Sequence, residues 1–317
     1  TSHSKIVDGL FVDRSGIVYT TSGGLVGGNE IGKYDPYTDT YNPYFATGFF
    51  GTINIDEYQD SLFAVTNFDN NTVSRYNLNT GVVDVLATGL DGPAGIAVDS
   101  DDNIFVTNFG APPTYSGHVI TKITPEGVSS VYVDSSALFR LQAICINHED
   151  VLIVHSEEAL YKVNAADSSL VHWVDLEHGV GNMTFRNQDS CIYACAGGET
   201  DRIIRIDTEG EISVFSGSSA GYLDGDIDEA LFSNPLGIAF SPTEDTLYVS
   251  EALGSNRLRR ILFNQVSGLF VPLNSSLSFY PNPASETIHI RSEFEIIRVQ
   301  IRNAAGELVV EKNVLTK

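Results

Sequence analysis

The 317-residue chain is poor in sulfur, in positive charge and in long apolar runs. It has three cysteines, one methionine and one tryptophan. Cys145, Cys191 and Cys195 lack metal-site spacing. If Cys191 and Cys195 share a strand, four extended residues hold their Cα atoms roughly 13 Å apart. A disulfide tolerates about 7 Å, so the pair cannot close, and the cysteines are expected to be small buried hydrophobes that say nothing of compartment. Lys and Arg number 18 against 41 Asp and Glu, a net charge of −23. Such a surface repels phosphate backbones, which excludes general nucleic-acid binding and argues against docking on anionic lipid. No window approaches the roughly 18 apolar residues of a membrane span, so no membrane insertion is expected. Disorder is excluded by the 42% hydrophobic content beside only 19% charged residues. Catalytic signatures are scarce too. The glycine pairs Gly23-Gly24, Gly27-Gly28 and Gly197-Gly198 neither open a helix nor run into Gly-Lys-Ser/Thr, and no serine sits in a Gly-x-Ser-x-Gly elbow. The chain opens at Thr1 with neither an initiator Met nor an apolar leader core, so a removed signal peptide or a trimmed start is expected.

What is present is a repeat. Gly95-Ile-Ala-Val-Asp-Ser-Asp-Asp-Asn-Ile-Phe-Val-Thr-Asn108 is an apolar run, a polar turn and a second apolar run. Copies begin at Gly9, Thr52, Ala143, Asn182 and Gly237. The first run of each closes on Asp13, Asp56, Asp99, Asn147, Arg186 and Ser241. The period of about 40 to 50 residues, with β-rich units, is that of a propeller blade. A third run follows each hairpin, such as Val73-Ser-Arg-Tyr76 or Ile203-Ile-Arg-Ile206, and then a fourth, such as Ile212-Ser-Val-Phe215. The first two runs are apolar nearly throughout, as strands covered on both faces must be. The third alternates apolar residues with Lys or Arg. No stretch sustains a 3.6-residue period. The expected fold is all-β: a six-bladed β-propeller of four-stranded blades over residues 1–272, with Leu269-Phe-Val-Pro-Leu273 supplying the outermost strand of the last blade.

Pro93-Ala-Gly-Ile-Ala-Val-Asp-Ser-Asp-Asp-Asn-Ile-Phe-Val-Thr-Asn108 resembles an NHL repeat. So does Gly221–Phe240 with Leu247-Tyr-Val-Ser-Glu251 and Asn256-Arg-Leu-Arg-Arg-Ile261. The resemblance implies a propeller whose members serve as ligand-binding platforms, lyases or hydrolases, so fold does not decide activity. Gluconolactonase-like propellers hold a divalent metal on acidic or amide side chains opening the innermost strands. Here those positions are Asp8, Gly51, Ala94, Gln142, Gly181 and Leu236, with Asn182 one residue out, and only Asp8 is a strong ligand. No cofactor is expected, and a bound divalent cation is left open. Asp224-Gly-Asp-Ile-Asp-Glu229 begins like a calcium loop but lacks the glycine and the distal glutamate at loop spacing, and reads as an inter-blade insertion.

Beyond residue 272 the composition changes. Tyr280-Pro-Asn-Pro-Ala284 and Arg302-Asn-Ala-Ala-Gly-Glu-Leu-Val309 resemble the C-terminal sorting domain of the type IX secretion system of Bacteroidota. The resemblance implies cargo carried across the outer membrane to the surface or beyond, with the secretion machinery as partner. Members of that family run on for further strands, so residues 273–317 are expected to form a partial β-sandwich.

In a propeller the starts of the innermost strands and the loops joining second to third strands share one face. That rule gathers Asp8, Asn67, Asn108, Gln142, His155, Asn182, Glu251 and Asn256 at one mouth, beside Phe68, Phe109 and Tyr115. Amides and aromatics there suit hydrogen bonding and stacking against a neutral polar ligand more than proton transfer. The expected function is non-catalytic binding of an extracellular protein, peptide or glycan. The alternative is an enzyme of the streptogramin-lyase or gluconolactonase kind with its site on the axis.

Overall fold

In the computed structural model, residues 8–23, 28–164, 167–197, 201–252 and 256–263 are described, together with the backbone of four strands further on. The chain divides into two units, Thr1–Phe263 and Asn264–Lys317. The first is a six-bladed β-propeller. Blade one comprises β1 (Leu10–Val12), β2 (Val18–Thr21), β3 (Glu30–Asp35) and β4 (Thr40–Thr47). Blade two is β5 (Thr52–Tyr58), β6 (Leu62–Asn67), β7 (Thr72–Asn77) and β8 (Val83–Thr88). Blade three is β9 (Pro93–Val98), β10 (Ile104–Asn108), β11 (Val119–Ile123) and β12 (Ser129–Asp134). Blade four is β13 (Ile144–Ile146), β14 (Leu152–Ser156), β15 (Ala159–Val163) and β16 (Leu170–Asp175). Blade five is β17 (Met183–Arg186), β18 (Cys191–Ala196), β19 (Arg202–Ile206) and β20 (Ile212–Ser216). Blade six shows three strands among the described residues: β21 (Pro235–Phe240), β22 (Thr246–Glu251) and β23 (Arg257–Leu262). The expected outer strand at Leu269–Leu273 lies outside the described residues.

Every blade is an antiparallel meander running outward in chain order. The second strands are buried almost end to end, β10, β14 and β18 without exception. Valines are exposed on the outermost strands, Val85, Val131, Val171 and Val214 each by more than half. The apolar core lies between blades, not within them. Six clusters form, one at each blade junction, and the cluster of Leu10, Val12, Val18 and Tyr34 with Ala239, Tyr248 and Leu258 joins blade six to blade one. Innermost strands β1, β5, β9, β13, β17 and β21 contact in sequence and return to β1, which closes the ring. The three cysteines are free and buried, and Cys191 and Cys195 share β18.

Turn chemistry ends the strands. Asp13 Oδ1 accepts the Ser15 and Ile17 N–H groups, Asp99 Oδ1 those of Asp101 and Asn103, and Asn147 Oδ1 those of Glu149 and Val151. These side chains bridge the β-turn between first and second strands in place of backbone partners. Blade two departs from the expected spacing. The pairs Glu57↔Phe63 and Phe63↔Tyr76 put Tyr58, not Asp56, at the turn position. Asp56 therefore falls inside β5, two residues before the turn and level with Ala97 of blade three.

In the second unit, β24 (Ser278–Tyr280) pairs with β25 (His289–Arg291), and β26 (Arg298–Arg302) with β27 (Leu308–Asn313), both antiparallel.

Candidate functional site

A ring of hydroxyls fastens the blades near the axis. Thr66 Oγ1 accepts the Asn54 N–H of its own blade at 2.9 Å and donates to the Ala94 carbonyl of the next at 2.8 Å. Thr107 does the same with Gly95 and Gln142, at 2.8 and 2.9 Å. Thr21 links Gly9 to Ile53, and Ser250 links Gly237 to Asp8 across the closing junction. Cys195 takes the position in blade five, its thiol 3.6 Å from the Gly237 carbonyl. Strand registers place His155 there in blade four. A hydroxyl that accepts from one strand and donates to the next satisfies two buried backbone groups with one side chain.

His155 departs from that pattern. It is 4% exposed, and its Nε2 lies 2.5 Å from the Glu157 carbonyl, a contact that needs the proton on Nε2 although the Val180 N–H lies 3.3 Å from the same atom, which assigns the lone pair to Nδ1. Nδ1 is buried and has no partner. Burial pushes the imidazole down to about 4, against the opposing pull of the Glu157 carbonyl, so the ring is neutral at physiological pH. His155 lines a cavity of about 310 Å³ on the upper face with Gln142, Gly179, Val180, Gly181, Gly197, Asn234, Pro235, Leu236 and Ala252. None of these residues is charged. The side-chain amides of Gln142 and Asn234 make no hydrogen bond within the described residues, so both keep donors and acceptors available.

The other expected residues divide into three groups. Asn67, Asn108 and Glu251, each at the end of a second strand, turn into their own blades. Asn108 Oδ1 accepts the Asp91 N–H at 2.8 Å, and its Nδ2 donates to the Val119 carbonyl and the Thr121 hydroxyl. Asn67 accepts from Phe50 N and donates to the Thr72 and Ser74 hydroxyls. Glu251 is fully buried, accepts the Ser233 N–H and pairs with Arg259 at 2.8 Å and Arg257 at 3.5 Å. These three tie the loop before the innermost strand to the blade. Asp8 is buried at the blade six–one junction, where its carbonyl receives Ser250. Tyr115 and Asn256 stay half-buried on upper loops with left-handed backbones. The Tyr115 ring lies 5.9 Å from Phe109, which lies 6.4 Å from Phe68. The Asp224 insertion is a fastened loop: Arg259 reaches the Asp224 carboxylate at 2.7 Å and stacks on Tyr222.

Asn182 faces the axis instead of the upper cavity. It accepts through Oδ1 from Asn54 Nδ2 at 2.8 Å, joining blades five and two across the channel. The position facing the axis is Gly9, Gly95 and Gly237 in blades one, three and six and Ala143 in blade four; only two opposite blades carry amides. The bridge floors a second, lower well of about 470 Å³, lined by Asn54, Asp56, Cys145, Asn182, Thr184 and many apolar side chains. Burial pushes the Asp56 carboxyl up to about 7, with the Glu57 charge adding to it and backbone N–H groups opposing. Among the described residues no group of three His, Cys, Asp or Glu side chains converges as a metal site requires.

Sequence reasoning missed Asn234, Asn54 and Asp56. A signal existed for Asn54: it and Asn182 are the two amides in a column of Gly and Ala, three blades apart. Asp56 was hidden because it closes an apolar run as Asp13 and Asp99 do, whereas the turn position of blade two is Tyr58.

Residues 278–317 match the family described as the secretion system C-terminal sorting domain. That domain directs type IX secretion, so the chain is carried to the cell surface or outside, and no helix among the described residues is long and apolar enough to cross a membrane. No curated protein sequence matches the chain. Among solved structures, an auxiliary nutrient binding protein from Bacteroides thetaiotaomicron superposes with a TM-score of 0.65 at 15% identity, over 81% of this chain and 68% of that one. Virginiamycin B lyase from Staphylococcus aureus gives 0.57 at 17% identity, over 83% and 86%. A gluconolactonase from Xanthomonas campestris gives 0.62 at 12% identity, over 79% and 86%. At such identities the likeness is one of fold.

Proposed function

We propose that the secreted propeller binds a neutral, hydrogen-bonding ligand of the peptide or glycan class at its upper cavity, without catalysis. One observation carries the reading. Gln142 and Asn234 present side-chain amides with no protein partner around one cavity beside the neutral His155 imidazole, and no charged side chain lines it although the chain carries −23. Uncharged groups in a partly apolar concavity orient a polar guest without the desolvation cost of a buried ion. A neutral imidazole of pKa about 4 is a weak base at pH 7, which disfavours proton transfer there. Phe68, Phe109 and Tyr115 add stacking faces on the same side of the propeller. The Bacteroides nutrient-binding relative supports the binding reading, and the lyase and lactonase relatives keep a catalytic one as its competitor.

The test is binding of the immobilised full chain to a panel of neutral oligosaccharides and uncharged peptides. Gln142→Ala and Asn234→Ala should each weaken the selected ligand about tenfold, the effect of one lost hydrogen bond to a neutral group, with the melting temperature unchanged. Unchanged affinity in both variants overturns the site. Turnover of virginiamycin B or of a lactone, lost in the same variants, overturns the non-catalytic reading.

A further inference from the structure

We propose that the lower well is a second binding site, independent of the upper cavity, that takes a small organic cation: a primary ammonium on an apolar body, with the ammonium on Asp56 and a hydroxyl or carbonyl of the guest on the Asn182 amide. Below the amide bridge the next axis-facing ring is Phe11, Asp56, Ala97, Cys145, Thr184 and Ala239, all lining the well. Asp56 is the one ionisable carboxyl of that ring, where the neighbouring blades place alanine or phenylalanine, and Thr184 of the opposite blade faces it. The rest of the wall is apolar, with Leu10, Ile55, Ile96, Ile144, Met183 and Ile238 behind the ring.

Asn182 supplies an independent observation. It is more than nine-tenths buried, and its amide orientation is set from both sides. The Asn54 Oδ1 accepts the Ile55 N–H at 3.0 Å, so Asn54 must offer its Nδ2, and Asn182 must answer with Oδ1. The Asn182 Nδ2 is thereby left as a donor with no partner, beside the well. An unpartnered donor and a carboxyl in one apolar enclosure match a guest that carries an ammonium and an acceptor a few bonds apart.

The sign of the guest follows from the charges around Asp56. Glu57 neighbours it on β5, Glu244 comes from the β21–β22 turn, and Asp13 and Asp99 end β1 and β9; Arg186, which ends β17, is held by Asp189 at 3.1 Å and by the Glu244 carbonyl. His148 sits exposed at the rim, its ring 5.7 Å from Phe185. No Lys or Arg lines the well. An anion is repelled, and an ammonium restores to Asp56 the charge that burial disfavours. Binding therefore releases a proton from Asp56 at neutral pH.

Phenylalaninol, protonated on its amine between pH 6 and 8, is the probe, and 3-phenyl-1,2-propanediol its neutral counterpart. Calorimetric titration of the full chain should show phenylalaninol binding about tenfold tighter at pH 8 than at pH 6, as Asp56 passes from mostly protonated to mostly ionised. The diol should bind weakly at both. Asp56→Asn, nearly isosteric, should remove both the affinity and its pH dependence, and Gln142→Ala should leave them intact. Equal binding of diol and amine, retention in Asp56→Asn, or no binding of phenylalaninol at millimolar concentration each overturns the proposal. A thermal melt of Asp56→Asn matching the parent keeps loss of binding distinct from loss of fold.

Discussion

His155 occupies the position at which four other blades place a hydroxyl that links neighbouring strands. Its consequence is readable in pH. The buried imidazole titrates near 4 against 6.5 in the unfolded chain, so the unfolded state takes the proton first as pH falls. Stability from this group is therefore complete above about pH 6.5 and is lost toward pH 4. Asp56 acts in the opposite sense. Its folded pKa of about 7 lies above 3.8, so the folded state holds the extra proton, and stability falls as pH rises from about 4 to 7. The contributions reach at most about 3 kcal/mol for His155 and about 4 kcal/mol for Asp56, and over their shared window they largely offset one another. These two groups together should accordingly add little net slope between pH 4 and 6.5. Urea titrations of His155→Thr should show stability falling with rising pH, and those of Asp56→Asn should show it rising. Variants whose profiles run parallel to each other contradict the assignment.

Strands hold together through the hydroxyl ring and the apolar layers on either side of it. Thr107 is fully buried and serves two backbone groups in two blades. Thr107→Val preserves shape but strands the Gly95 N–H and the Gln142 carbonyl, at a cost of about 2–3 kcal/mol. Calorimetry should register a melting temperature about 4–8 °C lower, and a shift under 1 °C would show that water replaces the lost partners. Gly237 is needed for a different reason. A Cβ there would overlap the Asp8 carbonyl and crowd the Ser250 hydroxyl, both of which close blade six onto blade one. Gly237→Ala should therefore destabilise more than Thr107→Val, because backbone at the junction has to move and not a flexible side chain. Equal melting temperatures for Gly237→Ala and the parent would refute that closure geometry.

For the whole molecule, the propeller and the sorting domain are separate units in chain order. The ring closes within residues 8–263, each blade junction carrying its own apolar cluster. A chain lacking residues 264–317 should fold with the parent's near-ultraviolet spectrum. Expressed behind a leader peptide in a host with type IX secretion, it should accumulate in the periplasm, while the longer chain reaches the surface or the medium. Fractionation and immunoblotting decide this, and export of the shortened chain would show that the signal lies elsewhere.

Blade number and strand order were legible in residues alone, because every blade repeats the same local problem. Two neighbours sandwich each second strand, so β10 and β14 must be apolar on both faces, and the turn residues Asp13, Asp99 and Asn147 recur where chain reversal needs a side-chain acceptor. The sorting domain was legible from Tyr280-Pro-Asn-Pro-Ala284 for the same reason, as a local pattern. The sites were not local. Asn108 and Glu251 have the residue types of a binding mouth, yet whether their polar atoms face solvent or their own blade depends on the loop that returns over them, with Asp91 and Ser233 as partners. The Asn54–Asn182 bridge joins residues 128 positions apart, and only ring closure brings their two blades face to face. Asp56 entered the well because Tyr58 takes the turn position of blade two, which sets Asp56 two residues back on β5, level with Ala97. Periodicity in sequence specifies the interfaces that every blade shares; a side chain that departs from the period acquires its meaning from the blade across the axis.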